Sequence, residues 1–152
     1  MTDVERNKAI ARRTWEEIFP ACDVEALAEV VDPDVVSRGR RTDEPFGLEG
    51  VTRTMLWLPS VFSDQYWEVH DVIGEADVVA TRVTHHGRQT GELMGIPPTG
   101  REVAYQYVHF LRFSDGKAVE QWSVRDDMTL MRQLGVIPPH PGAPTAASGA
   151  AA

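Results

Sequence analysis

Residues 87–135, GRQTGELMGIPPTGREVAYQYVHFLRFSDGKAVEQWSVRDDMTLMRQLG, constrain the fold more than any other stretch. Two long segments of alternating apolar and polar residues are joined by Ser114-Asp115-Gly116-Lys117. Asp and Gly tolerate the backbone angles of a tight hairpin turn, so the pair reads as antiparallel strands. A loop rich in Gly and Pro, residues 91–100, leads into the first strand, and a short amphipathic helix follows the second. Strand side chains alternate with period two, which puts Tyr105, Tyr107, His109 and Leu111 on one face. Three polar rings among apolar neighbours suit the wall of a half-buried pocket, and the earlier chain reads as its cover.

The cover is helical at first. Ile10, Ala11, Thr14, Trp15, Ile18 and Phe19 form an apolar stripe over residues 8–19, and Pro20 is expected to end that helix. Asp23 is placed to cap a second helix with Val24, Leu27, Ala28 and Val31 inward, stopped by Asp32-Pro33. An extended piece at Val35-Val36-Ser37 precedes a third helix over about 49–62, in which Pro59 predicts a kink or break. From Tyr66 the pattern becomes alternating: strands over 66–73 and 78–89 with a turn at 74–77, then the two strands of the hairpin. A last helix over 128–134 has Gly135 in the capping place. Helices first and meandering strands afterwards predict an α+β fold: a curved antiparallel sheet with N-terminal helices packed over one face, enclosing a cone-shaped cavity.

At 152 residues the length suits one domain, 1–138, followed by a Pro/Ala/Gly-rich tail over 139–152 expected to be disordered. Net charge is −8 with acids and bases well mixed, which argues against nucleic-acid or anionic-membrane partners. The one basic cluster, Arg38-Gly39-Arg40-Arg41, is flanked by Asp34, Asp43 and Glu44 and reads as a solvated loop. No run of about 18 apolar residues predicts a membrane span, and the charged N-terminus lacks a signal-peptide pattern, so a cytoplasmic location is expected. Cys22 is the only cysteine and reads as a structural thiol.

Chemistry is sought on the strand faces. His109 shares its face with Tyr105 and Tyr107; a strand histidine suits either core hydrogen bonding or, with a pKa ordinarily near 6.5, general acid/base work. On the last strand Gln121, Ser123 and Arg125 share one face, and Asp126 and Asp127 follow at the junction with the helix. Asp127 reads as the helix cap and Asp126 as the acid looking back toward the cavity. His85 and His86 point to opposite faces and cannot chelate one ion, so no metal is expected. Neither a phosphate-binding loop nor a nucleophile elbow is present in the sequence.

The segments GRQTGELMGIPPTGR (87–101), YVHFLRF (107–113), DGKAVEQW (115–122) and LMRQLG (130–135) closely resemble the SnoaL-like polyketide cyclase family. Arg12-Arg13 and DPDVV (32–36) agree more loosely. The resemblance implies an α+β cone related in shape to limonene epoxide hydrolase, a homodimer or homotetramer, and cofactor-free chemistry on an aromatic polyketide. It implies a last-strand aspartate as acid/base for an intramolecular aldol closure, with a glutamine and a histidine two residues apart on the preceding strand. Carried onto this chain, the histidine is His109, the glutamine position holds Tyr107, and the aspartate position holds Ser123. A serine is a poor base unless activated. The candidate catalytic set is therefore His109, Asp126 and Tyr107, with Tyr105, Gln121, Ser123, Trp15 and Arg82 as substrate-binding residues. A cyclase, a cofactor-free hydroxylase or epoxide-opening enzyme, and a non-catalytic binding module all remain open at this point.

Overall fold

The computed structural model describes residues 1–39 and 46–142. Arg40, Arg41, Asp43 and Glu44 of the basic region, and the tail from 143 on, lie outside the described residues.

Helix α1 (Asp3–Arg13) starts at Thr2, whose side chain accepts from Glu5 N. It does not end at Pro20. Proline cannot donate to the carbonyl four residues back. The turn before it, Thr14–Ile18, opens into π geometry, with Phe19 N bonding Thr14 O, and the helix runs on through Phe19–Ala21. Cys22, in the left-handed conformation at φ 51°, ends it. Asp23 caps α2 (Val24–Val30) by accepting from Ala26 N. The buried face of α2 is Ala26, Leu27 and Val30, while Val24 is turned outward. Helix α3 (Gly47–Val61) contains Pro59 without stopping there. The helical bond that Pro59 cannot make would end on Met55 O. That carbonyl instead receives the Cys22 thiol at 3.7 Å, a weak donor in the right place.

The strands are β1 (Val31–Ser37), β2 (Phe62–Glu75), β3 (Val78–Gln89), β4 (Glu102–Ser114) and β5 (Lys117–Arg125), followed by α4 (Asp127–Gln133). They form one sheet in the order β1-β5-β4-β3-β2. Four strands pair antiparallel, but β1 runs parallel to β5, so the sheet is mixed rather than wholly antiparallel. The parallel pairing is possible because about half of the chain, residues 38–116, separates β1 from β5, leaving ample length for the crossover. Strand β2 begins at Phe62, four residues before Tyr66, and carries irregularities after Ser63 and Val69 that bend it. The expected hairpin turn forms, with Asp115 at φ 49° and Gly116 at φ 78°. Gly135 closes α4, its N–H bonding Arg132 O while Val136 N bonds Met131 O.

The helices cover one face of the sheet, and the core between them includes Ala11, Ile18, Leu27, Met55, Val79 and Val83. A second cluster, including Val61, Phe62, Leu93, Tyr105 and Leu134, lies where the Gly/Pro loop meets the end of α3. Gln89, fully buried, organises that loop. Its amide nitrogen donates to Gly91 O, Ile96 O and Pro97 O, and its oxygen accepts from Thr99 N and Thr99 Oγ1. Thr90 N and Gly91 N both donate to Val61 O, fastening the loop to α3.

A Cβ at Gly91 would lie 1.8 Å from Ser60 O, whereas Gly95 (φ 79°) has nothing within 4 Å. Gly91→Ala is therefore expected to lower the melting temperature by more than ~5 °C. Gly95→Ala should cost only the strain of its backbone angle, about 1 kcal/mol. Thermal denaturation of the two variants side by side checks the ranking.

Candidate active site

The register of the sheet builds the site in transverse rows, because residues opposite one another on neighbouring strands share a face. Trp67, His85 and Tyr105 form one row across β2, β3 and β4. Val69, Val83, Tyr107 and Arg125 form the next. Thr81, His109 and Ser123 follow, then Val79, Leu111, Gln121 and Ser37. Over these rows the helices leave a half-open cavity of about 220 Å³. Trp15 from the π turn, Phe19 from the helical turn after it, and Val51, Thr54 and Trp57 from α3 form its roof.

Trp15 is the hub of the roof. The wide turn that carries it sets its ring 4.7 Å from Phe19, 5.8 Å from Trp67, 5.5 Å from Tyr107 and 5.1 Å from His109, the last two edge-on. Such a wall suits a flat aromatic ligand. Trp15 Nε1 is buried without a hydrogen-bond partner, while the buried Trp67 Nε1 is directed at the Tyr107 hydroxyl. Buried polar groups are ordinarily paired, so an unpaired indole N–H at the cavity roof marks a place where a ligand oxygen fits.

Burial sets the protonation states. His109 is held neutral, its pKa lowered to about 4 by loss of solvent, with a hydrogen bond to Gln121 opposing the shift. Gln121 Nε2 donates to Ser37 Oγ at 2.7 Å, which leaves the amide oxygen to face the imidazole. The hydroxyl of Tyr107 is raised well above its ordinary value of 10, chiefly by burial, and stays protonated. Ser123, opposite His109, is exposed to the cavity mouth. His85 is more deeply buried still. Its Nδ1 lies 2.9 Å from Tyr105 Oη and its Nε2 3.0 Å from Gln65 Oε1, and its ring stacks on Trp67 at 4.6 Å. Burial, then the charges of His86 and Arg125, lower its pKa to about 3. Burial likewise pushes Tyr105 up to about 12.

Of the residues singled out from sequence, His109, Tyr107, Tyr105, Gln121, Ser123 and Trp15 line the cavity. Two do not. Asp126 is the cap of α4, accepting from Thr129 N at 3.0 Å and Thr129 Oγ1 at 2.6 Å, bonds that hold its carboxyl below the usual range. Asp127 occupies the first helical position instead. Arg82 pairs with Val108 on the outer face and binds Asp71 at 2.6 Å. Conversely, His85, Trp67 and Arg125 line the cavity and were not selected from sequence. Trp67 and His85 follow from strand alternation once the pairing with Tyr105 is known; the missing signal was the register. Among the described residues no group of His, Cys, Asp and Glu side chains is arranged to hold a metal ion.

Histidines that titrate near 6.5 when unfolded but near 3 and 4 when folded bind fewer protons in the native state. Stability then rises with pH through that interval and is lost as pH falls below about 6.5. The urea midpoint is expected to drop between pH 7.5 and pH 5, and His85→Phe should flatten that drop even if it lowers the midpoint at neutral pH. Equilibrium unfolding at several pH values measures both.

The family model for SnoaL-like polyketide cyclase matches residues 9–134. The chain is 30% identical over 129 residues to aklanonic acid methyl ester cyclase AcmA of Streptomyces galilaeus, covering 82% of this chain and 88% of that protein. IdmH from Streptomyces antibioticus superposes with a TM-score of 0.74 at 32% identity, over 86% of this chain and 99% of the other. A SnoaL-like polyketide cyclase from Agrobacterium tumefaciens superposes at 0.73 and 26% identity, over 85% and 98%. The fold, the matched span and these relatives agree, and the chain belongs to the SnoaL-like polyketide cyclase family.

Proposed function

We propose that this protein closes a ring in an aromatic polyketide by a cofactor-independent intramolecular aldol reaction, with His109 as the general base. The observation that carries this reading is the row His109–Ser123 in an aromatic-walled cavity where the imidazole is neutral. Removal of an activated C–H proton needs a neutral base, donors for the developing oxyanion and limited water. His109 takes the proton; the enolate carbon attacks the second carbonyl; the new alkoxide takes a proton from Tyr107, a phenol that burial keeps protonated. Protons then re-equilibrate between imidazolium and phenolate, so the net change is one proton moved from carbon to oxygen. Gln121 orients the imidazole and Ser123 supplies a hydroxyl beside it. The related AcmA is named for its action on aklanonic acid methyl ester, which makes a tricyclic anthraquinone-type polyketide the first substrate to try.

We propose in addition that copies of this chain associate, as a homodimer or homotetramer, through the outer face of the sheet. There Phe110 and Trp122 stack at 5.1 Å, and Val124 and Ile73 are 68% and 67% exposed. An apolar face of this kind is characteristic of an association surface. Val124→Arg is expected to shift the protein to monomer in light scattering; unchanged mass would remove this face from consideration.

Turnover is expected anaerobically and without added cofactor. His109→Ala should lower kcat by about 10²–10⁴-fold. The kcat profile of the wild type should be level from pH 5.5 to 8 and fall only toward pH 4, where the imidazole protonates. A titration near 6.5, or full activity in His109→Ala, would dismiss the base assignment. A requirement for oxygen would favour the hydroxylase reading. Activity in Ser123→Asp alone would mean that the wild type has lost the cyclase reaction.

A further inference from the structure

The charged side chains that line the cavity are cations in an acidic protein. The chain has a net charge of −8, yet among the described residues the cavity lining includes Arg38 and Arg125 and no Asp or Glu. Arg125 lies inward, opposite Tyr107. Its charge acts on His85, Tyr105 and Tyr107, so the guanidinium is felt across the cavity floor. Asp127, in the first turn of α4, holds its Nε and Nη2 at 3.3 Å and is also felt by Tyr105, which leaves Nη1 for a further acceptor, while Arg38 is paired with Glu120. The buried indole N–H of Trp15 adds a donor without an acceptor. A cavity furnished with a cation and unpaired donors fits a ligand rich in acceptors and negatively charged.

Ser123 fits the same pattern. It stands between Gln121 and Arg125 on the inward face of β5, two residues from Arg125, or about 7 Å along the strand. A carboxylate at that place would add a second negative charge beside that of Asp127 and repel an anion; a hydroxyl does not. We infer that this site takes its aromatic substrate as a free carboxylate, with Arg125 as the anchoring cation. The inference rests on the ring-closure reading for the identity of the site and departs from the relative named for a methyl ester. Arg125 presents a planar fork of N–H donors that matches a carboxylate.

The test is binding rather than turnover. Three of the four tryptophans, Trp15, Trp57 and Trp67, face the cavity, so fluorescence reports occupancy. Anthraquinone-2-carboxylate and its methyl ester are titrated in parallel at neutral pH. The acid is expected to bind roughly tenfold more tightly, the effect of a charge-assisted hydrogen bond. Its advantage should shrink as salt is raised. Arg125→Gln should abolish the preference by weakening the acid far more than the ester, and Arg125→Lys should keep part of it. Ser123→Asp should weaken the acid selectively, and Arg82→Gln, on the outer face, should change nothing. Equal or tighter binding of the ester to wild type would overturn the inference. So would an intact acid preference in Arg125→Gln. A protein that prefers the acid but shows no ring closure keeps the inference and discards the cyclase reading; turnover of acid and ester alike does the reverse.

Discussion

The site depends on the register of β4 between β3 and β5. Side chains alternate along a strand, so one residue of slip would turn Tyr105, Tyr107 and His109 outward and bring Gln106, Val108 and Phe110 in. In the observed register each inward ring meets a partner of matching role: Tyr105 meets His85, Tyr107 meets Arg125, and His109 meets Ser123. The tight turn at Asp115-Gly116 sets the pairing on one side. On the other, the loop before β4 is gathered by the buried Gln89 and tied to the end of α3. The chemistry inherits its geometry from these two fixings.

Dehydration then gives the rings their properties. His109 and Tyr107 are ordinary side chains made unlike their solvated forms by the roof of Trp15 and its neighbours. Loss of water disfavours the charged form of each, which keeps the imidazole an acceptor and the phenol a donor. In this family the resemblance implies an aspartate where this chain has Ser123. A carboxylate there would act as base itself, whereas here the base is assigned to a neutral imidazole and the carboxylate to the substrate. The two proposals describe one redistribution of charge within a cavity of the same shape.

Helix irregularities serve the same end. The π turn over Thr14–Ile18 aims Trp15 at the sheet, and Pro20, read at first as a stop, accompanies that opening instead. Pro59 leaves a carbonyl that the Cys22 thiol satisfies, so α3 keeps its last turn and its hold on the loop. A single structural cysteine is thereby linked to the cavity roof without taking part in it.

Local pattern in the sequence determined the helix-then-strand order, strands β3 to β5, the hairpin turn, the Gly135 cap and the face bearing Tyr105, Tyr107 and His109. These features depend on backbone preferences and periodicity within a few residues. Tertiary structure decided the rest. Which face of β3 looks inward could not be told from residues 81–86, because both faces mix polar and apolar groups; pairing with β4 put His85 inside and Arg82 outside. Asp126 and Asp127 are both good caps, and the actual start of α4 assigned the role to Asp126. The parallel pairing of β1 with β5 joins segments more than eighty residues apart. No local pattern specifies such a contact, because its energy comes from hydrogen bonds and burial that exist only once the sheet has formed.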